Sequence, residues 1–156
     1  MAQSVVDQIQ GFLAAECFAV VGASTDRSKY GNKVLRCYQQ HGREVFPINP
    51  KAPEVEGLKA YASLAALPKP VKAISVITPP AATEQVVRDA AAAGVTHVWM
   101  QPGAESDAAE ARIAGRNTSR GWTMTPPDSS KYASASARVN GRPYSSSWLS
   151  YQCHRS

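Results

Sequence analysis

The chain has no apolar run approaching the roughly 18 residues that a membrane helix needs. Its first ten residues, MAQSVVDQIQ, have neither the basic flank nor the apolar stretch of a signal peptide. Both absences lead us to expect a soluble, cytoplasmic protein. Cysteine is scarce: Cys17, Cys37 and Cys153 lie far apart and form no C-x-x-C pair, which argues against a disulfide framework and a zinc site. His41, His97 and His154 are equally dispersed, so no metal centre is expected.

Acidic side chains are also in deficit, 12 against 17 Lys plus Arg, for a formal net charge of +5. Such a balance raises the question of a polyanion partner, and the position of the excess decides it. Residues 1–112 hold 11 basic and 11 acidic side chains. Residues 113–156 hold Arg116, Arg120, Lys131, Arg138, Arg142 and Arg155 against Asp128 alone. The body is neutral and the tail carries all the surplus. At 156 residues the chain has room for one full domain.

From Cys17 to about Ala114 short apolar runs alternate with helical patterns, which predicts a parallel α/β sheet. Ahead of it, Ser4 can cap an amphipathic helix whose face is Val5, Val6, Ile9, Phe12 and Leu13, placed to pack on the sheet. Cys17–Gly22 is continuously apolar, as a strand covered on both faces should be. The pattern then predicts a helix over Tyr30–His41, a strand over Glu44–Ile48, a short edge strand over Leu58–Tyr61, and a strand within Lys72–Thr78. A helix over Thr83–Ala93, a strand over Val95–Met100 and a helix starting near Glu105 complete the body. After Gly115 there are ten serines and three prolines, and no segment with period 2 or 3.6. We therefore divide the chain into a domain over 1–114 and a Ser/Arg-rich, poorly ordered tail over 115–156.

The most informative segment is Val20-Val-Gly22-Ala23-Ser24-Thr-Asp-Arg27-Ser-Lys29-Tyr30-Gly31-Asn32-Lys33. It leaves a buried strand, turns on small residues and enters a helix. In a doubly wound sheet this sets backbone N–H groups and a helix N-terminus at the carboxyl edge of the strands, where nucleotides bind. Ser24 and Thr25 add hydroxyls, and Arg27, Lys29 and Lys33 add positive charge. The spacing is neither G-x-G-x-x-G nor G-x-x-x-x-G-K-[S/T], since Gly22 and Gly31 are nine apart. NAD sites want an acidic residue at the end of the second strand. Here Asn49 and Lys51 stand there instead, which suits a ribose carrying a phosphate, as in NADP or coenzyme A.

Gly22-Ala-Ser, Lys29-Tyr-Gly31-Asn-Lys33-Val34, Pro47-Ile-Asn49-Pro-Lys51, Tyr61-x-Ser63-Leu64, Thr78-Pro79-Pro80 and Trp99-Met-Gln101-Pro102-Gly103-Ala-Glu105 occur in this order. Together they resemble the small stand-alone CoA-binding domain proteins, themselves similar to the CoA-binding domain of the succinyl-CoA synthetase α-subunit. The resemblance spans about residues 10–114 and implies a Rossmann-like, doubly wound, mostly parallel sheet. It implies that Gly22, Ala23 and Ser24 face the diphosphate of coenzyme A, with Lys29, Tyr30, Gly31 and Asn32 closing over it. Asn49 and Lys51 would sit by the ribose and its 3′-phosphate. Thr78, Pro79 and Pro80 would border the crevice, and Gln101 and Pro102 the next loop. The family carries one more apolar strand after the Pro-Gly-Ala-Glu segment, and nothing after Ala114 matches it, so that strand is expected to be missing or replaced. A changed reading frame or a splice near Ile113–Arg116 would produce such a break.

No catalytic group stands out. Cys17 opens a buried strand, Cys37 lies within a helix and His97 begins a strand, all positions for packing rather than chemistry. Asp26 and Glu105 form no carboxylate pair. The ligase chemistry of succinyl-CoA synthetase depends on a domain and a phosphorylated histidine for which this chain has no room. The expected function is a non-catalytic binding or sensor module for coenzyme A or an acyl-CoA. An NADP-binding oxidoreductase-like protein is the alternative, although a Tyr-x-x-x-Lys pair is lacking, and polyanion binding by the basic tail is a third. The expected partner is a small nucleotide ligand, with no membrane and no nucleic acid. The sequence leaves the oligomeric state open.

Overall fold

The computed structural model describes residues 10–101, 104, 106–116, 138–139 and 142–143. Four parallel strands form the central sheet: β1 (Cys17–Val21), β2 (Glu44–Ile48), β5 (Ala73–Val76) and β6 (His97–Met100), in the order β2-β1-β5-β6. Three helices connect or follow them: α1 (Tyr30–Gln40), α2 (Pro80–Ala92) and α3 (Asp107–Arg116). No described helix is long and apolar enough to cross a membrane.

Side chains of β1 alternate between two cores, because successive residues of a strand point to opposite faces. Ala19 and Val21 join Ile74, Val76, Val98 and Met100 beneath Val87 and Ala90 of α2 and Ala109 of α3. Phe18 and Val20 join Val34, Leu35, Cys37 and Tyr38 of α1 on the other face. The sheet is doubly wound, as the alternating apolar runs led us to expect. On the α1 face a helical turn at residues 10–13 buries Phe12 against Phe18 and Trp99, at ring separations of 5.4 and 5.6 Å. This is the packing expected of the N-terminal helix, whose Val5, Val6 and Ile9 lie outside the described residues. A buried polar pair crosses the same layer: the Tyr38 hydroxyl lies 2.8 Å from Ser75 Oγ. Burial pushes the Tyr38 phenol upward from its ordinary value.

Two elements differ from expectation. Leu58–Tyr61 is not an edge strand of the main sheet. Glu54–Val55 (β3) and Leu58–Lys59 (β4) pair antiparallel as a separate hairpin, and Tyr61 alone bridges Ile48 in parallel. The cause lies at Glu56 and Gly57, both with positive φ (50° and 79°), which makes a tight two-residue reversal. Helix α2 starts three residues before the expected Thr83, because Pro80 at its first turn needs no N–H partner there. In the tail, Arg138–Val139 (β7) and Arg142–Pro143 (β8) pair antiparallel, although no periodic signal was found there. The expected disorder of the tail and the missing family strand otherwise fall on residues outside those described.

Candidate functional site

The carboxyl ends of β1 and β5 meet where the strand order reverses. β1 is followed by a crossover to β2 on one side, and β5 by a crossover to β6 on the other. Such a switch point opens a crevice between diverging connections. Here the turn from β1 into α1 lies against the end of β5.

Two glycines set the shape of that turn. Gly22 has φ +92°, and a Cβ there would lie 3.1 Å from the Ile77 carbonyl. A Cβ on Gly31 would lie 2.1 Å from the Gly22 carbonyl oxygen, closer than any real contact. The nine-residue spacing is therefore a contact distance: the first turn of α1 rests directly on the end of β1. Only glycine permits that approach. The N-cap of α1, Lys29, makes no side-chain cap, and no acidic residue stands in the first turn. The helix's own residues thus supply no anion to the partial positive charge of its start.

Between the glycines the loop is held by its own polar groups. Ser24 Oγ accepts the Asp26 N–H at 3.1 Å, and Asp26 Oδ1 accepts the Ser28 N–H and hydroxyl at 2.9 and 2.7 Å. Those two bonds from Ser28 hold the Asp26 carboxyl below its ordinary range. Ser24 keeps its own hydroxyl proton to donate. Ala23 is buried, Thr25 and Lys29 are exposed, and Tyr30 is an exposed ring with the Lys33 ammonium 5.6 Å from its centroid.

Asn32 is fully buried. Its Nδ2 donates to the Ser24 carbonyl and to Glu56 Oε1, both at 2.8 Å, which fixes the amide orientation, and its Oδ1 has no partner among the described residues. Arg27, expected as a loop cation for phosphate, is instead forked onto Glu56, Nε to Oε1 at 3.1 Å and Nη2 to Oε2 at 2.9 Å. Hydrogen bonds from Arg27 and Asn32 pull the Glu56 carboxyl down to about 2. Glu56 escaped the sequence reading because Glu-Gly is a weak hairpin signal.

At the end of β2, Asn49 serves the backbone. Its Nδ2 donates to the Ala23 carbonyl at 2.9 Å, and its Oδ1 accepts the Lys51 and Ala52 N–H groups at 2.8 and 3.2 Å. Asn49 thus ties the second strand's exit to the first turn, and Lys51 stands exposed beyond it.

A cleft of about 420 Å3 opens beside the turn, lined by Tyr30, Ile77, Thr78, Pro79, Pro80, Gln101 and Ala104. Five of these were expected from the sequence; Ile77 and Ala104 were not. Thr78 Oγ1 lies 3.0 Å from Thr83 Oγ1 at the start of α2. Gln101 is buried, its backbone N–H donates to Val76, and its Nε2 has no partner among the described residues. A buried donor without a partner is costly to keep, and Gln101 lines the cleft. Pro102 lies outside the described residues, as does Glu105. Among the described residues no group of three or more His, Cys, Asp or Glu side chains clusters to hold a metal.

The sequence profile described as the CoA binding domain matches residues 16–122, more than half of the chain. This chain belongs to the CoA-binding domain family. The match includes the turn, the Asn49 exit and the cleft described above. An ADP-forming acetate–CoA ligase II subunit α from Pyrococcus furiosus is 33% identical over 81 residues, 51% of this chain and 18% of the ligase subunit. The CoA-binding domain described here thus spans under a fifth of the curated relatives it matches. Among solved structures, a conserved hypothetical protein from the same organism is 38% identical with a TM-score of 0.64, covering 70% of this chain and 92% of that one. A dinucleotide-forming acetyl-coenzyme A synthetase from Ca. Korarchaeum cryptofilum, solved with phosphate and ADP, is 32% identical with a TM-score of 0.62, covering 72% of this chain and 25% of that one. The chain is thus similar both to nearly the whole of one small protein and to a segment of a much longer ligase and synthetase.

Proposed function

We propose that this chain binds coenzyme A or an acyl-CoA at the carboxyl edge of its sheet, as a binding or sensor module without chemistry of its own. The observation that carries the proposal is the Gly22–Gly31 contact, which leaves an uncapped helix start facing the switch-point crevice. The diphosphate lies against Gly22, Ala23 and Ser24 and takes the N–H groups that follow Gly22 and that of Gly31, since the Gly22 N–H already donates to the Ile48 carbonyl, with Lys29 and Asn32 closing the loop. Lys51, beyond Asn49, takes the 3′-phosphate. The pantetheine arm lies along Tyr30, Thr78, Pro79 and Pro80, and one of its carbonyls accepts from Gln101, with Pro102 in the next loop. Cys17 and Cys37 are both buried and neither is in a disulfide among the described residues, which suits a reducing, cytoplasmic compartment and a packing role.

Titration calorimetry of the full chain with CoA, dephospho-CoA, NADP and NAD tests the assignment. CoA is expected to bind tightest, and Lys51→Ala to weaken CoA about fivefold while leaving dephospho-CoA unchanged, since one exposed charge contact is lost. Selective tight binding of NADP would overturn the choice of ligand.

A further inference from the structure

We propose that Glu56 is a positioning residue of the coenzyme site, holding the β1–α1 turn in its binding shape from the tip of the β3–β4 hairpin. The proposal rests on the CoA reading above and adds to it a residue outside the turn and the cleft.

Among the described residues Glu56 is the sole non-glycine residue with positive φ. The first central position of such a reversal favours Asn, Asp or Gly. A glutamate there keeps a strained backbone, and strain of this kind persists where the side chain is needed. Its carboxylate makes the two-point fork with Arg27 in the loop and accepts from buried Asn32 on α1. Through Asn32 the grip reaches the Ser24 carbonyl, at the centre of the turn. The Glu56 carbonyl also accepts from Gln39 Nε2 at 3.1 Å, so the hairpin tip is tied to both ends of α1. Stability of the hairpin does not require the carboxylate. Buried Val55 anchors the tip, and the Gln39 contact uses the backbone. What the carboxylate adds is its hold on Arg27 and on the Asn32 amide.

The test separates local shape from global stability. Glu56→Gly removes the carboxylate at a position where glycine relaxes the backbone, and Glu56→Gln keeps one acceptor for Asn32 while losing the charge. In the full chain the Lys29 and Asn32 amides, bonded to the Asp26 and Lys29 carbonyls, report the turn. Hydrogen exchange at both amides is expected to rise about tenfold in the glycine variant while Tm is unchanged or higher. CoA affinity is expected to fall about tenfold in the glycine variant and about threefold in the glutamine variant. Unchanged exchange at the two amides in both variants overturns the proposal, as does faster exchange with unaltered CoA affinity. If the unaltered chain fails to bind CoA, the CoA reading falls, and the exchange result alone decides whether Glu56 holds the turn.

Discussion

The two ends of the parallel sheet both carry a depression. At the amino ends of β5 and β6 a groove of about 280 Å3 runs along Leu64, Leu67, Pro68, Pro70, Val71 and Val95. At the carboxyl ends lies the larger cleft. The amino-edge groove is made of ordinary parts: apolar side chains, prolines that end connections, and Lys69 paired with Glu44 in water. The carboxyl edge collects the exceptions. There stand the Gly22–Gly31 approach that leaves no room for a Cβ, the left-handed glutamate, and Asn32 Oδ1 and Gln101 Nε2, both without a partner among the described residues. A sequence selected for stability alone would remove each of these, and their gathering at one edge supports the proposal that the ligand binds there. Unsatisfied chemistry distinguishes the two depressions more sharply than size does.

The sharpest way to break this contrast is Gly31→Ala. A methyl 2.1 Å from the Gly22 carbonyl cannot be absorbed by a flexible side chain, because the atom it meets is backbone. Helix α1 must move off the end of β1. We expect a loss of about 3 kcal/mol of stability and no measurable CoA binding, read by denaturant melts and calorimetry. A stable variant that binds CoA normally would show that the glycine contact does not build the site.

Gln101→Met gives a smaller change with opposite signs in two measurements. Methionine fills similar volume and removes a buried donor that no described residue satisfies, so the ligand-free chain should gain about 1 kcal/mol, a Tm rise of a few degrees. CoA should bind about tenfold more weakly, since one hydrogen bond to the ligand is gone. A loss of stability with unchanged affinity would make Gln101 an ordinary core residue and erase the difference between the two edges.

The sheet, its order of elements and its burial could be read from the sequence because each rests on local signals: apolar runs of strand length, helical periodicity, and proline or glycine at the joints. Lys72–Thr78 narrowed to Ala73–Val76, and Glu44–Ile48 matched to the residue. The cleft could also be read, because Tyr30, Thr78, Pro79, Pro80 and Gln101 all follow strand ends or begin helices. Glu56 could not be read, since its role comes from a fold-back that brings residue 56 to residues 27 and 32. Asn49 was placed correctly at the end of β2, but its bonds to Ala23, Lys51 and Ala52 are facts of packing. The β7–β8 pair did have a signal that periodicity missed, the Asn-Gly dipeptide between its strands.

The smallest expected effect is the control at the opposite edge. Lys69 and Glu44 pair with side chains 44% and 51% exposed, where attraction is screened by water and salt and is offset by the entropy of ordering two long side chains. The Glu44 hydrogen bond raises the Lys69 ammonium above its ordinary value, a direction that keeps it charged at neutral pH without making the pair strong. Lys69→Ala should leave both Tm and CoA affinity unchanged within the precision of melting and calorimetry. A marked fall in CoA affinity would mean that the amino-edge groove communicates with the site, and the division between a structural edge and a binding edge would fail.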